Sequence, residues 1–370
     1  MHSSFQIPDP MKLRIFLLLF LLLCLAGCHK EKEGLEPNLI TDEQAIDFSQ
    51  TIEKSLTAGD PEPLVRAVNW SSLTDRVLAG IPEKDRGRFD RRYLIQLFSG
   101  SDSLVQSIAQ KVEAGGSYHF LRLRKLNDQT FVATFRLIDV DGGLDYHDLY
   151  LARRGLNLVQ IEDFYLYHFG ETYSESLRRT LAPELYFEGV KDFGMTLTGH
   201  MQILIRENTE LISELTKAYE AKNIQRSLDL YDQLPEELRR LKTFQFWRLK
   251  MAQGHPDPSV YVYVLADVRK RFEKEAWADF LSLDYFLNRG EFPNALVCLD
   301  RIDFLVGGDP YLESFRCWAY LNLNNLKEAQ KHLNAGLEKE PGLADDPSFK
   351  SLKKRLEMME SRPLNPFENQ

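Results

Sequence analysis

The sequence predicts an α+β domain followed by an all-α domain, and three observations carry that reading. Between residues 117 and 167 stand four runs rich in aromatic and β-branched residues, separated by turn-forming pairs. From about Met201 onward, apolar residues recur at helical spacing. Within that second region Ala295 and Ala329 lie 34 residues apart, followed four residues on by Leu299 and Leu333 and preceded nine residues earlier by Phe286 and Tyr320. That period belongs to stacked helical hairpins.

In chain order, the first element is a targeting segment. Met11 is followed by Lys12 and Arg14, an apolar run from Ile15 to Leu25, and then Ala26-Gly27-Cys28. This is the basic, apolar and cleavage order of a signal peptide over residues 1–27, and the run is shorter than the about 20 residues a membrane-spanning helix needs. Met1 to Pro10 holds no Lys or Arg suited to the basic region, so Met11 is the expected true start. Leu25-Ala26-Gly27-Cys28 resembles the lipobox of bacterial lipoproteins. The resemblance implies a mature chain that begins at a lipidated Cys28, and His29 in place of an aspartate implies the outer membrane, facing the periplasm. Residues 28–40, charged from Lys30 onward, then form a tether.

Residues 41–180 carry the α+β domain. Ala45, Ile46, Phe48, Ile52 and Leu56 put one apolar face on a helix from Asp42 to Leu56, with Thr41 or Asp42 as its cap. Pro63 to Leu78 reads as a second, broken helix, and Arg88 to Val112 as a third, longer one. Strands follow at Ser117–Arg124, Thr130–Ile138, Tyr146–Ala152 and Leu158–Tyr167, with hairpin turns at Asn127-Asp128, Asp141-Gly142-Gly143 and Arg154-Gly155. Three helices before an antiparallel meander resemble the cone-shaped, cystatin-like fold of nuclear transport factor 2 and ketosteroid isomerase; another α+β layer with its helices on one sheet face is the alternative.

After a connector at 181–200, residues 201–360 read as helical repeats, with a tail at 361–370. The pattern of Phe286, Gly290 and Ala295, then Tyr320, Asn324 and Ala329, closed by Pro341, resembles tetratricopeptide repeats. That resemblance implies aromatic groove fillers, turn residues, small packing residues and a terminating proline at those positions. One period earlier the small position falls on Tyr261, where the pattern fails, and two periods earlier on Ser227. Asp346 and Pro347 open a capping helix with an apolar stripe of Phe349, Leu352, Leu356 and Met359. Cys298 and Cys317 sit in apolar helical patterns and read either as a disulfide or as two buried thiols.

A net charge of −9, or −10 once Lys12, Arg14 and Asp9 leave with residues 1–27, argues against nucleic acid as a partner. No zinc, P-loop or dinucleotide motif is present, so no metal and no cofactor is expected. Asp139, Asp141 and Asp145 around Gly142-Gly143 fit a hairpin turn better than a calcium loop, which requires a glutamate where Tyr150 stands. Ser351 and Lys354 have the spacing of a Ser/Lys nucleophile pair but no companions. Three Tyr-His pairs, Tyr118-His119, Tyr146-His147 and Tyr167-His168, fall on or beside strands. Strand alternation puts Tyr146, Asp148 and Tyr150 on one face and Ile161, Asp163, Tyr165 and Tyr167 on one face of the next strand, so Tyr146, Asp148, Asp163 and Tyr165 are the pocket candidates.

The expected function is non-enzymatic. The repeats would bind protein or peptide partners in the cell envelope, among them aromatic contacts from Phe244, Phe246, Trp247, Tyr261 and Tyr263, and the α+β domain could pair in a homodimer. The alternative is an envelope small-molecule binder or isomerase-like enzyme that uses the α+β pocket.

Overall fold

The computed structural model describes residues 40–178 and 199–361, apart from residues 80, 82, 88, 101–102, 141, 155–157, 274 and 276. The signal peptide, Cys28, the tether, most of the connector and the tail beyond residue 361 lie outside the described residues.

Helix α1 (Asp42–Thr57) begins at a capping box in which Thr41 Oγ1 accepts the Gln44 amide and Gln44 Oε1 accepts the Thr41 amide, both at 3.2 Å. The second segment is two helices, α2 (Glu62–Ala67) and α3 (Trp70–Leu78). Val68 between them is extended and bridges Ile161 in parallel, and Asn69 restarts the helix by accepting the Ser72 amide. A short helix α4 (Glu83–Arg86) precedes the expected long third helix, which is instead α5 (Arg91–Phe98) and α6 (Leu104–Glu113). Asp90 and Ser103 each accept amides of the following turn, so two strong cap residues split one apolar periodicity.

The strands β1 (Ser117–Asn127), β2 (Thr130–Ile138), β3 (Leu144–Arg154), β4 (Leu158–Leu166) and β5 (Glu171–Thr172) form one antiparallel meander in chain order. Strand β5, two residues long, is too short to carry a period and was not expected. The residues around Gly142 do form the turn, with the Gly142 amide on the Asp139 carbonyl. One face of the sheet buries Phe131, Phe135, Leu149 and Phe164 against Ala45, Ile52 and Leu56 of α1, Leu64 of α2 and Ile108 of α6.

The helical region comprises α7 (Gly199–Glu207), α8 (Thr209–Glu220), α9 (Ile224–Asp232), α10 (Glu236–Arg239), α11 (Lys242–Gln253), α12 (Pro258–Arg271), α13 (Ala278–Arg289), α14 (Phe292–Val306), α15 (Leu312–Asn322), α16 (Leu326–Lys339) and, after a 3-10 turn at Pro341–Asp345, α17 (Pro347–Glu360). Four of these helices, α9, α12, α14 and α16, begin at Ile224, Pro258, Phe292 and Leu326, 34 residues apart each time. The residues before them, Asn223, Asp257, Glu291 and Asn325, are their caps, and all but Glu291 accept an amide of the first turn.

One residue further back, Lys222, Gly290 and Asn324 take the left-handed conformation with φ of 57°, 71° and 54°. Pro256 holds that position in the second hairpin, where its ring forbids a positive φ, and there the Asp257 amide donates to His255 Nδ1 instead. Ser227, Ala295 and Ala329, the fourth residues of α9, α14 and α16, are fully buried. Tyr261 holds the same place in α12, so the register persists where the small-residue pattern fails; its ring packs at the edge of the Phe246 and Trp277 cluster. Phe286 is buried, Tyr320 stacks on His332, and Pro341 opens the 3-10 turn. Asp346 caps α17, which buries Phe349, Leu352 and Leu356.

The last two hairpins fold back onto the second face of the sheet. Tyr146 and Tyr167 share a core with Phe280, Phe286, Leu299 and Ile302, and Ile138 joins Tyr311, Cys317 and Leu333. The sheet is therefore a middle layer with helices on both faces.

Candidate functional site

The second sheet face is unusual in being polar as well as buried. The strand period places Thr134 and Arg136 of β2, Tyr146 and Asp148 of β3, and Tyr165 of β4 there, and all but the half-buried Tyr165 are nearly inaccessible. Asp148 Oδ1 accepts from Thr134 Oγ1 at 2.6 Å, while Oδ2 accepts from Arg124 at 2.5 Å and from the Tyr167 hydroxyl at 3.1 Å. Asp163 Oδ1 accepts the Phe164 and Ser174 amides at 2.9 and 3.1 Å, and Oδ2 accepts Ser174 Oγ at 2.6 Å. Burial raises the Asp163 pKa and these hydrogen bonds only partly offset it.

The Tyr146 hydroxyl donates to Asp309 Oδ2 at 2.6 Å across the domain boundary. Burial and the Asp309 charge push its pKa well above the ordinary tyrosine value. Tyr165, half-buried, meets Tyr167 edge-on with centroids 5.2 Å apart, and burial followed by the Asp148 charge raises its pKa as well.

Tyr146, Asp148 and Tyr165 thus lie on the face turned away from α1 and α6, and the polar atoms of Tyr146 and Asp148 serve internal bonds. Two surface grooves among the described residues reach none of the four pocket candidates. One groove of about 480 Å³ is lined by Asp279, Val297, Asp300, Arg301, Phe304 and Leu305; the other, of about 400 Å³, lies between α1, α2 and β4 and is lined by Gln44, Phe48, Arg66 and Leu158 among others. Ile161 does not share a face with Asp163 and Tyr165. A bulge at Glu162, between the pairs Tyr150–Asp163 and Leu151–Ile161, reverses the alternation and sends Ile161 into the core that also holds Leu64 and Ala67.

The Tyr-His pairs split three ways. Tyr118 lies on the first face, stacked on Phe135 at 4.7 Å, with its hydroxyl 3.3 Å from His147 Nδ1; His147 Nε2 is 3.4 Å from Asp145. His119 stands between Glu53 of α1 and Glu340 at the end of α16. His168 packs beside Phe169 and Phe280. Among the described residues, no group of three or more His, Cys, Asp or Glu could hold a metal ion, and no helix is long and apolar enough to cross a membrane. Cys298 and Cys317 are separate buried thiols, and burial pushes their pKa values up to about 12 and about 11.

The centre of the interdomain contact is Asp309. It accepts from Arg136 and Tyr146 of the sheet and from the Tyr311 amide, and its own amide donates to Asp303 at 2.8 Å. Arg136 also lies 4.6 Å over the Tyr311 ring. Three residues at the starts of successive first helices face the sheet domain: Tyr311 before α15, Trp277 before α13, against Gly170, and Lys242 of α11, whose Nζ donates to the Gly170 carbonyl at 3.2 Å. No known family model, curated protein or solved structure matches this chain.

Sequence reasoning missed Arg136, Asp309 and the 34-residue recurrence of caps. An arginine inside the otherwise apolar run Thr130–Ile138 was a readable sign of a buried partner, and Asn223, Asp257, Glu291 and Asn325 would have located every second helix. Asp309, in Gly307-Gly308-Asp309-Pro310, looks like any turn.

Proposed function

We propose that the chain is a bacterial lipoprotein, held through lipidated Cys28 at the outer membrane and facing the periplasm, whose tetratricopeptide-like hairpins form a protein-interaction scaffold on a domain like that of nuclear transport factor 2. The observation that carries the scaffold reading is the constant 34-residue register of α9, α12, α14 and α16, because stacking of equal units is what repeat scaffolds use to build extended binding surfaces. The helices before a meander that they cover on one face support the resemblance of the α+β domain.

Most of α15 and much of α13 are buried, and both pack towards the sheet. The surfaces left for a partner are the second helices and the first two hairpins, where Tyr263 is 70% exposed. The scaffold is favoured over an isomerase-like pocket because Tyr146, Asp148 and Asp163 already commit their polar atoms to protein groups. Two experiments test the proposal. Metabolic labelling with a palmitate analogue marks the wild type and spares Cys28→Ala; label retained on the variant overturns the anchor. Photo-cross-linking from Tyr263 in intact cells captures a protein partner; no adduct there overturns the scaffold.

A further inference from the structure

We propose that the outer face of α14 is a two-fold pairing surface through which the chain associates with a second copy of itself. The helix presents Asn294, Val297, Arg301 and Phe304 as one stripe with the three-four-three spacing of an interhelical seam. Val297 is 50% exposed and Phe304 89% exposed, so a whole phenylalanine ring projects into solvent. The same residues line the groove of about 480 Å³ shared by α13 and α14, with Val297, Phe304 and Leu305 as its apolar lining.

This surface carries its own complement. Val297 precedes the Asp300–Arg301 peptide bond by the same number of residues as Phe304 follows it. An antiparallel second copy, related by a two-fold axis at that bond, therefore sets each Phe304 over the opposite Val297 and each Arg301 beside the opposite Asp300. Isologous contacts require such self-complementarity. The charges are available for it: Arg301 is 61% exposed beside Asp279 at 3.2 Å, and Asp300 is 74% exposed while it accepts from Arg316 at 3.0 Å. A partner of one charge sign would meet only its own sign at Asp300 or Arg301, whereas a second copy brings each Asp300 beside the opposite Arg301. One helix pair and its rim fall at or below the about 1,200 Å² that marks weak, transient interfaces, so the association is reversible.

Pairing here also differs from pairing through the α+β sheet, whose second face the hairpins cover. Sedimentation velocity of the full chain in detergent, over a wide concentration range, tests the proposal. The wild type shows a concentration-dependent doubling of mass, and Phe304→Asp holds the single-copy mass with an unchanged thermal midpoint. Mild oxidation of Arg301→Cys, next to the axis, gives a covalent dimer that Tyr263→Cys, an exposed control, does not. A wild type that keeps the single-copy mass throughout, or a doubling that survives Phe304→Asp, overturns the proposal.

Discussion

Arg136 of β2 and Asp309, in the turn before α15, form an ion pair at 2.5 Å with both side chains buried, and it joins the strands to the helical hairpins. Coulomb attraction at that distance offsets the desolvation of both groups because each has further partners: Tyr146 and the Tyr311 amide on Asp309, the Tyr311 ring and Glu340 on Arg136. The pair fixes which face of the sheet the hairpins cover and, with it, where Tyr146 and Asp148 are buried.

Removing one member strands the other. Asp309→Ala should cost about 3–5 kcal/mol of unfolding free energy, read from denaturant midpoints at constant slope. Arg136→Met with Asp309→Leu should recover most of that loss. A loss below about 1 kcal/mol for the single variant contradicts a latch role.

Gly170 has φ of 60°, and a Cβ there would overlap the Trp277 ring. Gly170→Ala should therefore destabilise the chain by about 1–3 kcal/mol through backbone strain and overpacking. Trp277→Ala in the same background relieves only the crowding, so thermal melts of the single and double variants should separate the two causes.

Glu313 of α15 links that helix to α16, accepting from His332 at 2.7 Å and Lys339 at 3.0 Å and lying 3.6 Å from Arg316 of its own helix. Burial alone would raise its pKa, but the hydrogen bonds to His332 and Lys339 and the Arg316 charge bring it down to about 2 from 4.5. A folded pKa below the unfolded one contributes stability in full above about pH 4.5, and that stability is lost as pH falls towards about 2. Acid titration of unfolding free energy should show this loss, at most about 3 kcal/mol, and Glu313→Gln should flatten it.

The small positions in the hairpins should resist enlargement. Ala295→Leu and Ala329→Leu, both at fully buried sites, should each cost about 1–3 kcal/mol, while Val297→Leu on the exposed side of α14 should cost almost nothing. Equal melting temperatures for all three would contradict close packing of the second helices.

Much of this architecture was legible because it rests on local rules. The four long strands, their order and the turns after Asn127 and Asp139 follow from aromatic runs broken by glycine and asparagine pairs, whereas the turn expected at Arg154-Gly155 extends outside the described residues; α17 follows from Asp346, Pro347 and its apolar stripe. The break at Val68 agrees with the broken second helix, but the one at Ser103 escaped because an apolar period runs through it while the deciding group, a serine cap, leaves that period intact. The assignment of Ile161 failed at a bulge, which a two-residue period cannot register. The polar sheet face was found by alternation, but its use was not. That Tyr146 points to Asp309, 163 residues away, is a tertiary fact without a local trace.

The helical hairpins, rather than the helix-covered side of the sheet domain, are proposed to carry the partner surface. Site-specific photo-cross-linkers at Tyr263 on α12 and at Tyr93 on α5, both exposed, test it most directly in intact host cells. The account predicts a discrete partner adduct from Tyr263 and none from Tyr93; an adduct from Tyr93 alone would contradict it.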